Sequence, residues 1–193
     1  MCSARPDCGD TQSSSPSLDR TIVLVGLMGA GKTTIGRRLS RGLGVPFVDA
    51  DEEVERAAGC SISDIFETYG EPAFRDVEQR VIERLLSEPP HVLATGGGAF
   101  MNPETRKKIK ERGTSVWLCA DIETLVERVT RKNTRPLLRN GDPKQILRDL
   151  AKQRYPVYAL ADIRVESGGG PHELVVTAIL AALEERAGYN LAT

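Results

Sequence analysis

From Thr21 onward, short apolar runs alternate with longer stretches in which apolar positions recur every three or four residues. The short runs, rich in β-branched residues and bounded by Gly, Pro or charge, predict strands at Thr21–Gly26, Pro46–Ala50, His91–Thr95, Ser115–Cys119 and Asp162–Glu166. The amphipathic stretches predict helices at Lys32–Leu43, Asp51–Ala58, Ser63–Tyr69, Pro72–Leu86, Pro103–Glu111, Ile122–Arg131, Pro143–Arg154 and Pro171–Arg186. Several open on proline, whose missing N–H would be unpaired in a first turn anyway. Strands separated by one or more helices predict an α/β fold: a doubly wound parallel sheet of five strands with helices on both faces.

Length and composition narrow the picture. With 193 residues, 40% of them apolar, the chain can bury one sizeable core and is marginal for two. One domain is expected over residues 20–187, followed by a short tail at 188–193. Residues 1–19 are rich in Ser, Pro, Asp and Gly and lack the apolar stretch of a secretory signal, so a disordered tail is expected there. Asp7, Asp10 and Asp19 against the single Arg5 also argue against a transit peptide. Acidic and basic side chains number 27 and 26, leaving no global positive field for nucleic acid or an anionic membrane. The longest mostly apolar run, Leu174–Leu183, falls well short of the roughly 20 residues that span a bilayer. Cys2, Cys8, Cys60 and Cys119 show neither tight pairing nor a histidine cluster nearby, the pattern of reduced thiols in a cytoplasmic protein.

The candidate chemistry begins at Gly26-Leu27-Met28-Gly29-Ala30-Gly31-Lys32-Thr33, which fits G-x-x-x-x-G-K-[ST] between a predicted strand and a predicted helix. Glycines there let backbone N–H groups turn inward around a phosphate, and the helix directs its positive dipole end at the same anion. Gly29, Ala30, Gly31, Lys32, Thr33 and Thr34 are therefore the expected ATP-binding stretch. Lys32 suits the β and γ oxygens, and the Thr33 hydroxyl suits Mg²⁺. Such a loop does not by itself distinguish kinase from ATPase or GTPase. Asp49 and Asp51 stand where the second strand should end, and in extended backbone residues two apart face the same way. One carboxylate could hold Mg²⁺ and the other orient an acceptor hydroxyl. Asp51, Glu52 and Glu53 equally suit an acidic helix start, and the residues alone leave both readings open. The stretch Lys132–Asp142, with the region around 131–142, is the candidate lid.

From Thr21 to about Leu180 the chain resembles the shikimate kinase family. The resemblance rests on the phosphate loop, Asp49-x-Asp51, Ser61-Ile62-Ser63-Asp64-Ile65-Phe66 with Gly70-Glu71, Phe74-Arg75-x-x-Glu78, Gly96-Gly97-Gly98, Arg135-Pro136-Leu137-Leu138 and Arg154-x-Pro156-x-Tyr158, all in order. It implies a P-loop kinase fold of the nucleoside-monophosphate-kinase type, with a substrate-binding helical insert at about 51–87. It implies transfer of the γ-phosphoryl group of ATP to the 3-hydroxyl of shikimate, with Mg²⁺ as cofactor, ATP and shikimate as the partners, and a monomer by analogy. Asp51, Lys32 and Arg135 would then be catalytic, with Asp51 on the accepting hydroxyl and Arg135 swinging from the lid onto the transferring phosphates. Arg75 and Arg154 would clamp the substrate carboxylate, with Gly96, Gly97 and Gly98 lining the same site. Thr33 and Asp49 would hold the metal. Arg128 would pack against adenine, with Arg131 the alternative because the spacing before Arg135 is hard to align.

Plainer roles compete with several of these. An arginine on an amphipathic helix, as Arg75 and Arg154 would be, is usually a solvated face residue. Glu78 need only orient Arg75 as an i,i+3 pair. His91 and His172 receive no chemistry, and Trp117 is expected in the core. Two other functions share the phosphate loop: a kinase of an acyclic sugar acid resembling gluconate kinase, and a non-catalytic nucleotide-binding module.

Overall fold

The structure, a computed structural model, describes residues 18–132 and 142–187. Five strands form one sheet: β1 (Thr21–Val25), β2 (Phe47–Asp49), β3 (Val92–Ala94), β4 (Gly113–Cys119) and β5 (Ile163–Glu166). The helices are α1 (Lys32–Leu43), α2 (Ala50–Ala58), α3 (Ile62–Leu85), α4 (Pro103–Arg112), α5 (Ile122–Lys132), α6 (Pro143–Tyr158) and α7 (His172–Ala187), with a 3₁₀ turn at Ala99–Met101. The sheet order is β2-β3-β1-β4-β5, and every pairing is parallel.

That order follows from the sequence. β1 is apolar at both faces, Ile22, Val23, Leu24 and Val25 are all fully buried, and such a strand must lie in the middle under two layers of helix. It pairs Ile22 with Val92 of β3 on one side and Thr21 with Gly113 of β4 on the other. The chain moves from β1 to β2 in one direction through α1 and from β3 past β1 to β4 in the other through α4. Right-handed crossovers therefore put α1 and α4 on opposite faces. α7 packs on α1, and α3 packs on α4. The reversal of direction opens a crevice at the carboxyl ends of β1 and β3, where open α/β sheets bind ligands.

The predicted strands and helices appear with three local differences. The helices predicted at Ser63–Tyr69 and Pro72–Leu86 form one span, α3, broken at Gly70, where φ 78° and ψ 173° lie outside the helical region and suit a residue without Cβ. α6 continues beyond Arg154 through Pro156 to Tyr158, whose ring is fully buried against Phe100 and Trp117 and anchors the last turn. β2 stops at Asp49, so Asp51 lies in the first turn of α2 rather than in extended backbone. Most of the proposed lid, residues 133–141 with Arg135, lies outside the described residues, as do the tails at 1–17 and 188–193. Among the described residues no helix is long and apolar enough to cross a membrane.

Candidate active site

The phosphate loop runs from the carboxyl end of β1 into α1. Gly31, at φ 90°, takes the N-cap position of α1 in the left-handed region, and no side chain caps the first turn. The N–H groups of that turn are thus left to an anion at the positive end of the helix dipole. Lys32 Nζ donates to the carbonyls of Gly26 at 2.8 Å and Leu27 at 3.0 Å, which holds the ammonium folded over its own loop. Beside it lies a cleft of about 370 Å³ lined by Gly29, Gly31, Thr33, Thr34, Arg128 and Arg131, with His172 in its wall.

Arg128 and Arg131 both line the cleft, but only Arg128 is built into it. Its guanidinium donates to Gly29 O at 3.3 Å and to Gly168 O at 2.8 Å, tying the phosphate loop to the turn after β5. Arg131 instead pairs with Glu127 on the surface of α5. His172, which sequence patterning left without a role, opens α7 at this wall; only the tertiary fold brings it there.

Thr33 Oγ1 donates to Asp49 Oδ2 at 2.9 Å. Asp49 is at once the last residue of β2 and the N-cap of α2, its Oδ1 accepting from the N–H of Asp51 at 3.1 Å. Asp49 meets the phosphate loop at Thr33, and strand alternation is not what places the two carboxylates. The strand end aims Asp49 at Thr33, and the first turn of α2 aims Asp51 at the turn after β3. A Cβ built on Gly96 would stand 2.8 Å from Asp51 Oδ1 and 2.7 Å from Glu78 Oε1, so the glycine leaves room for both carboxyl groups.

Glu78 carries more than sequence patterning assigned to it. It is 3% exposed, and its Oε2 accepts from Arg75 Nη1 at 2.7 Å. Its other oxygen, Oε1, is buried without a hydrogen-bond partner among the described residues. Burial pushes the Glu78 carboxyl above its ordinary value; Arg75 and Arg154 pull it down, while the nearby Asp51 charge pushes it further up. A buried acceptor without a protein partner is one that a ligand donor can satisfy.

Arg75 is held from a second side by Glu71 at 3.0 Å, and its guanidinium covers Gly98 so closely that a Cβ there would sit 2.5 Å from both terminal nitrogens. Arg154 reaches the same turn from α6, donating to Gly97 O at 2.9 Å. The Tyr158 hydroxyl, one helical turn further on, donates to that same carbonyl. Tyr158 is a further residue whose part was missed; its signal was the i,i+4 spacing from Arg154, which puts both side chains on one face of a helix. Trp117 lies in the core as expected, edge-on to Tyr155 at 5.2 Å, and His91 is buried as well.

A doubly wound parallel sheet, a glycine-rich loop opening a helix, and paired carboxylates and arginines facing that loop define a P-loop phosphotransferase that acts on a small acidic acceptor. A family model described as shikimate kinase matches residues 28–184, and the chain belongs to the shikimate kinase family. It is 61% identical over 171 residues to a shikimate kinase of Caulobacter vibrioides, covering 89% of this chain and 86% of the relative. It is 55% identical over 172 residues to that of Novosphingobium aromaticivorans, covering 87% and 89% of the two chains. Among solved structures, shikimate kinase from Acinetobacter baumannii in complex with shikimate superposes with a TM-score of 0.83 at 42% identity, covering 87% of this chain and 94% of that one. A gluconokinase from Sinorhizobium meliloti, at TM-score 0.59 and 20% identity over 88% of this chain and 94% of its own, shares the fold alone.

Proposed function

We propose that the protein transfers the γ-phosphoryl group of ATP to the 3-hydroxyl of shikimate, releasing ADP and shikimate 3-phosphate. The observation that carries this reading is the position of Gly97. A Cβ there would lie 3.1 Å from Arg154 Nη1 and 3.8 Å from the N–H nitrogen of Met28, in the phosphate loop. Gly97 thus stands close to both the Arg154 guanidinium and the phosphate-binding backbone, which supports a carboxylate-bearing acceptor held beside a triphosphate.

In this reading Arg75 and Arg154 grip the carboxylate, each already anchored by protein acceptors so that little side-chain freedom is lost on binding. Asp51 accepts the hydrogen bond of the attacking hydroxyl and takes its proton as the new O–P bond forms and the bond from the β,γ-bridging oxygen to the γ phosphorus breaks. Lys32 and the N–H groups of the first turn of α1 stabilise the charge that spreads over the transferring and leaving oxygens. Arg128 holds the base-side wall of the cleft.

The hydroxyl of Thr33 and the carboxylate of Asp49, 2.9 Å apart, are hard oxygen donors that suit Mg²⁺. Bound there, Mg²⁺ would neutralise charge on the β and γ phosphates.

The test is an ADP-release assay on purified protein with ATP and Mg²⁺, comparing shikimate, gluconate and no acceptor. Release with shikimate alone is the expected result. Release with gluconate alone would move the substrate to an acyclic sugar acid, and ATP binding without release would favour a nucleotide-binding module.

A further inference from the structure

A second cleft, of about 590 Å³, opens beside the amino-terminal ends of β4 and β5, between α4, the end of α6 and the end of α7. The phosphate loop lies at the carboxyl end of β1, so this cleft belongs to the other end of a parallel sheet. Its volume falls within the range of small-molecule sites, roughly 300–1,000 Å³.

Its lining is strongly biased in charge. Arg106, Lys107, Lys110 and Arg186 contribute four cations against the single carboxylate of Asp162, in a chain whose net charge is −1. The two arginines are fixed. Arg106 Nη1 donates to the carbonyls of Phe100 and Met101, each at 2.8 Å, and Arg186 Nη2 donates to Asp162 Oδ1 at 2.6 Å. Asp162 is itself occupied on its other oxygen by the Ser115 hydroxyl at 2.6 Å and the Ser115 N–H at 2.9 Å, so it is in no position to neutralise the remaining cations.

The ammonium groups of Lys107 and Lys110, three residues apart on one face of α4, make no hydrogen bond or ion pair among the described residues. Their neighbour Lys108, turned away on the same helix, pairs with Glu83 at 2.9 Å. Two unpaired ammonium groups over a cleft with two immobilised guanidinium groups form a field that selects an anion. The rest of the wall is apolar. Phe100 is buried beneath it, and Leu160, 67% exposed, stands at its edge with no core to enter.

We infer that this cleft is a second binding site, separate from the catalytic one, for a small amphipathic anion: an apolar body seated on Phe100 and Leu160 with a carboxylate or phosphate head held by Lys107 and Lys110. A purely inorganic anion would satisfy the cations and leave the apolar wall wet. A neutral apolar molecule would leave two ammonium groups facing it unpaired.

The experiment is a titration of the isotope-labelled full chain, followed by backbone amide NMR, with three probes: phenylphosphate, phenylacetate and inorganic phosphate. Saturable shifts at the amides of Phe100, Lys107, Lys110 and Arg186 are expected with phenylphosphate or phenylacetate, and which of the two binds more tightly identifies the head group. Inorganic phosphate should bind there at least ten-fold more weakly. The double variant K107E/K110E should weaken binding at least ten-fold while leaving kcat/KM of the kinase reaction unchanged, since neither lysine touches the catalytic cleft. Shifts confined to the amides of Gly29–Thr34, or equal affinity in the double variant, would overturn the site. Equal affinity for inorganic phosphate and phenylphosphate would overturn its amphipathic character.

Discussion

Glu78 and Arg75 form an ion pair at 2.7 Å one turn apart on α3, with the carboxylate 3% exposed and the guanidinium 30% exposed. The buried partner has its carboxyl raised above the ordinary value by burial, with the Asp51 charge adding to the rise. The folded state therefore holds the Glu78 proton more tightly than the unfolded chain does. The stability this group contributes is full below its ordinary pKa and is lost as pH rises through the raised one. Wild-type protein should accordingly be most stable relative to Glu78→Gln at the acid end, and its Tm advantage should shrink as pH rises toward neutrality. A difference in Tm that stays flat between about pH 4 and 7 would show that Glu78 titrates in the folded state as it does in the unfolded chain.

Gly98→Ala tests the arginine clamp through space alone. Gly98 has φ −98° and ψ −17°, a conformation open to any residue, so the substitution adds no backbone strain. The new methyl would stand 2.5 Å from both terminal nitrogens of Arg75 and must push the guanidinium aside. KM for shikimate should rise about 10- to 100-fold, the scale of a misplacement near 1 Å, with KM for ATP unchanged. Steady-state kinetics with each substrate varied in turn distinguishes this from a general loss of activity.

Asp51→Asn keeps the size of the side chain and its place in the first turn of α2 but removes the proton acceptor. A fall in kcat of about 10²- to 10⁴-fold is expected, with KM for shikimate changed far less. Isothermal titration of shikimate into the variant should still show binding; wild-type kcat would exclude Asp51 from proton transfer.

Asp49 has two separable roles, beside Thr33 and as the N-cap of α2. Asp49→Ala should cost about 0.5–2 kcal/mol through the lost cap, seen as a lower Tm, and should raise the Mg²⁺ concentration needed for half-maximal rate. Asp49→Asn caps the helix nearly as well as the native residue. It should restore the Tm while leaving the Mg²⁺ requirement high.

Features of the fold that depend on neighbours in sequence could be read directly. The apolar run Ile22–Val25 marked a buried central strand, and Gly31-Lys32-Thr33 marked a helix start with exposed N–H groups. The break at Gly70 was visible as a gap between two amphipathic stretches because glycine and the following proline interrupt a helix locally. Asp49 and Asp51 are expected to face one way along extended backbone, and the backbone does not follow that expectation. Helix α2 begins one residue after Asp49, whose side chain caps it by accepting from the Asp51 N–H.

What the chain by itself determined was the alternation of strands and helices, the phosphate loop, and, by resemblance, the order of the substrate motifs. These rest on hydrogen bonds and side-chain spacings within a few residues, which one dimension records. The tertiary structure alone decided that Arg154 would meet Gly97 across 57 residues of sequence, that Arg128 rather than Arg131 would tie Gly29 to Gly168, and that Glu78 would be buried with one oxygen toward Gly96. It also gathered four cations from α4 and α7 around a second cleft. Helical periodicity places such residues on a face. What that face meets depends on how crossovers stack helices on the sheet, and that packing follows from burial of the whole core at once.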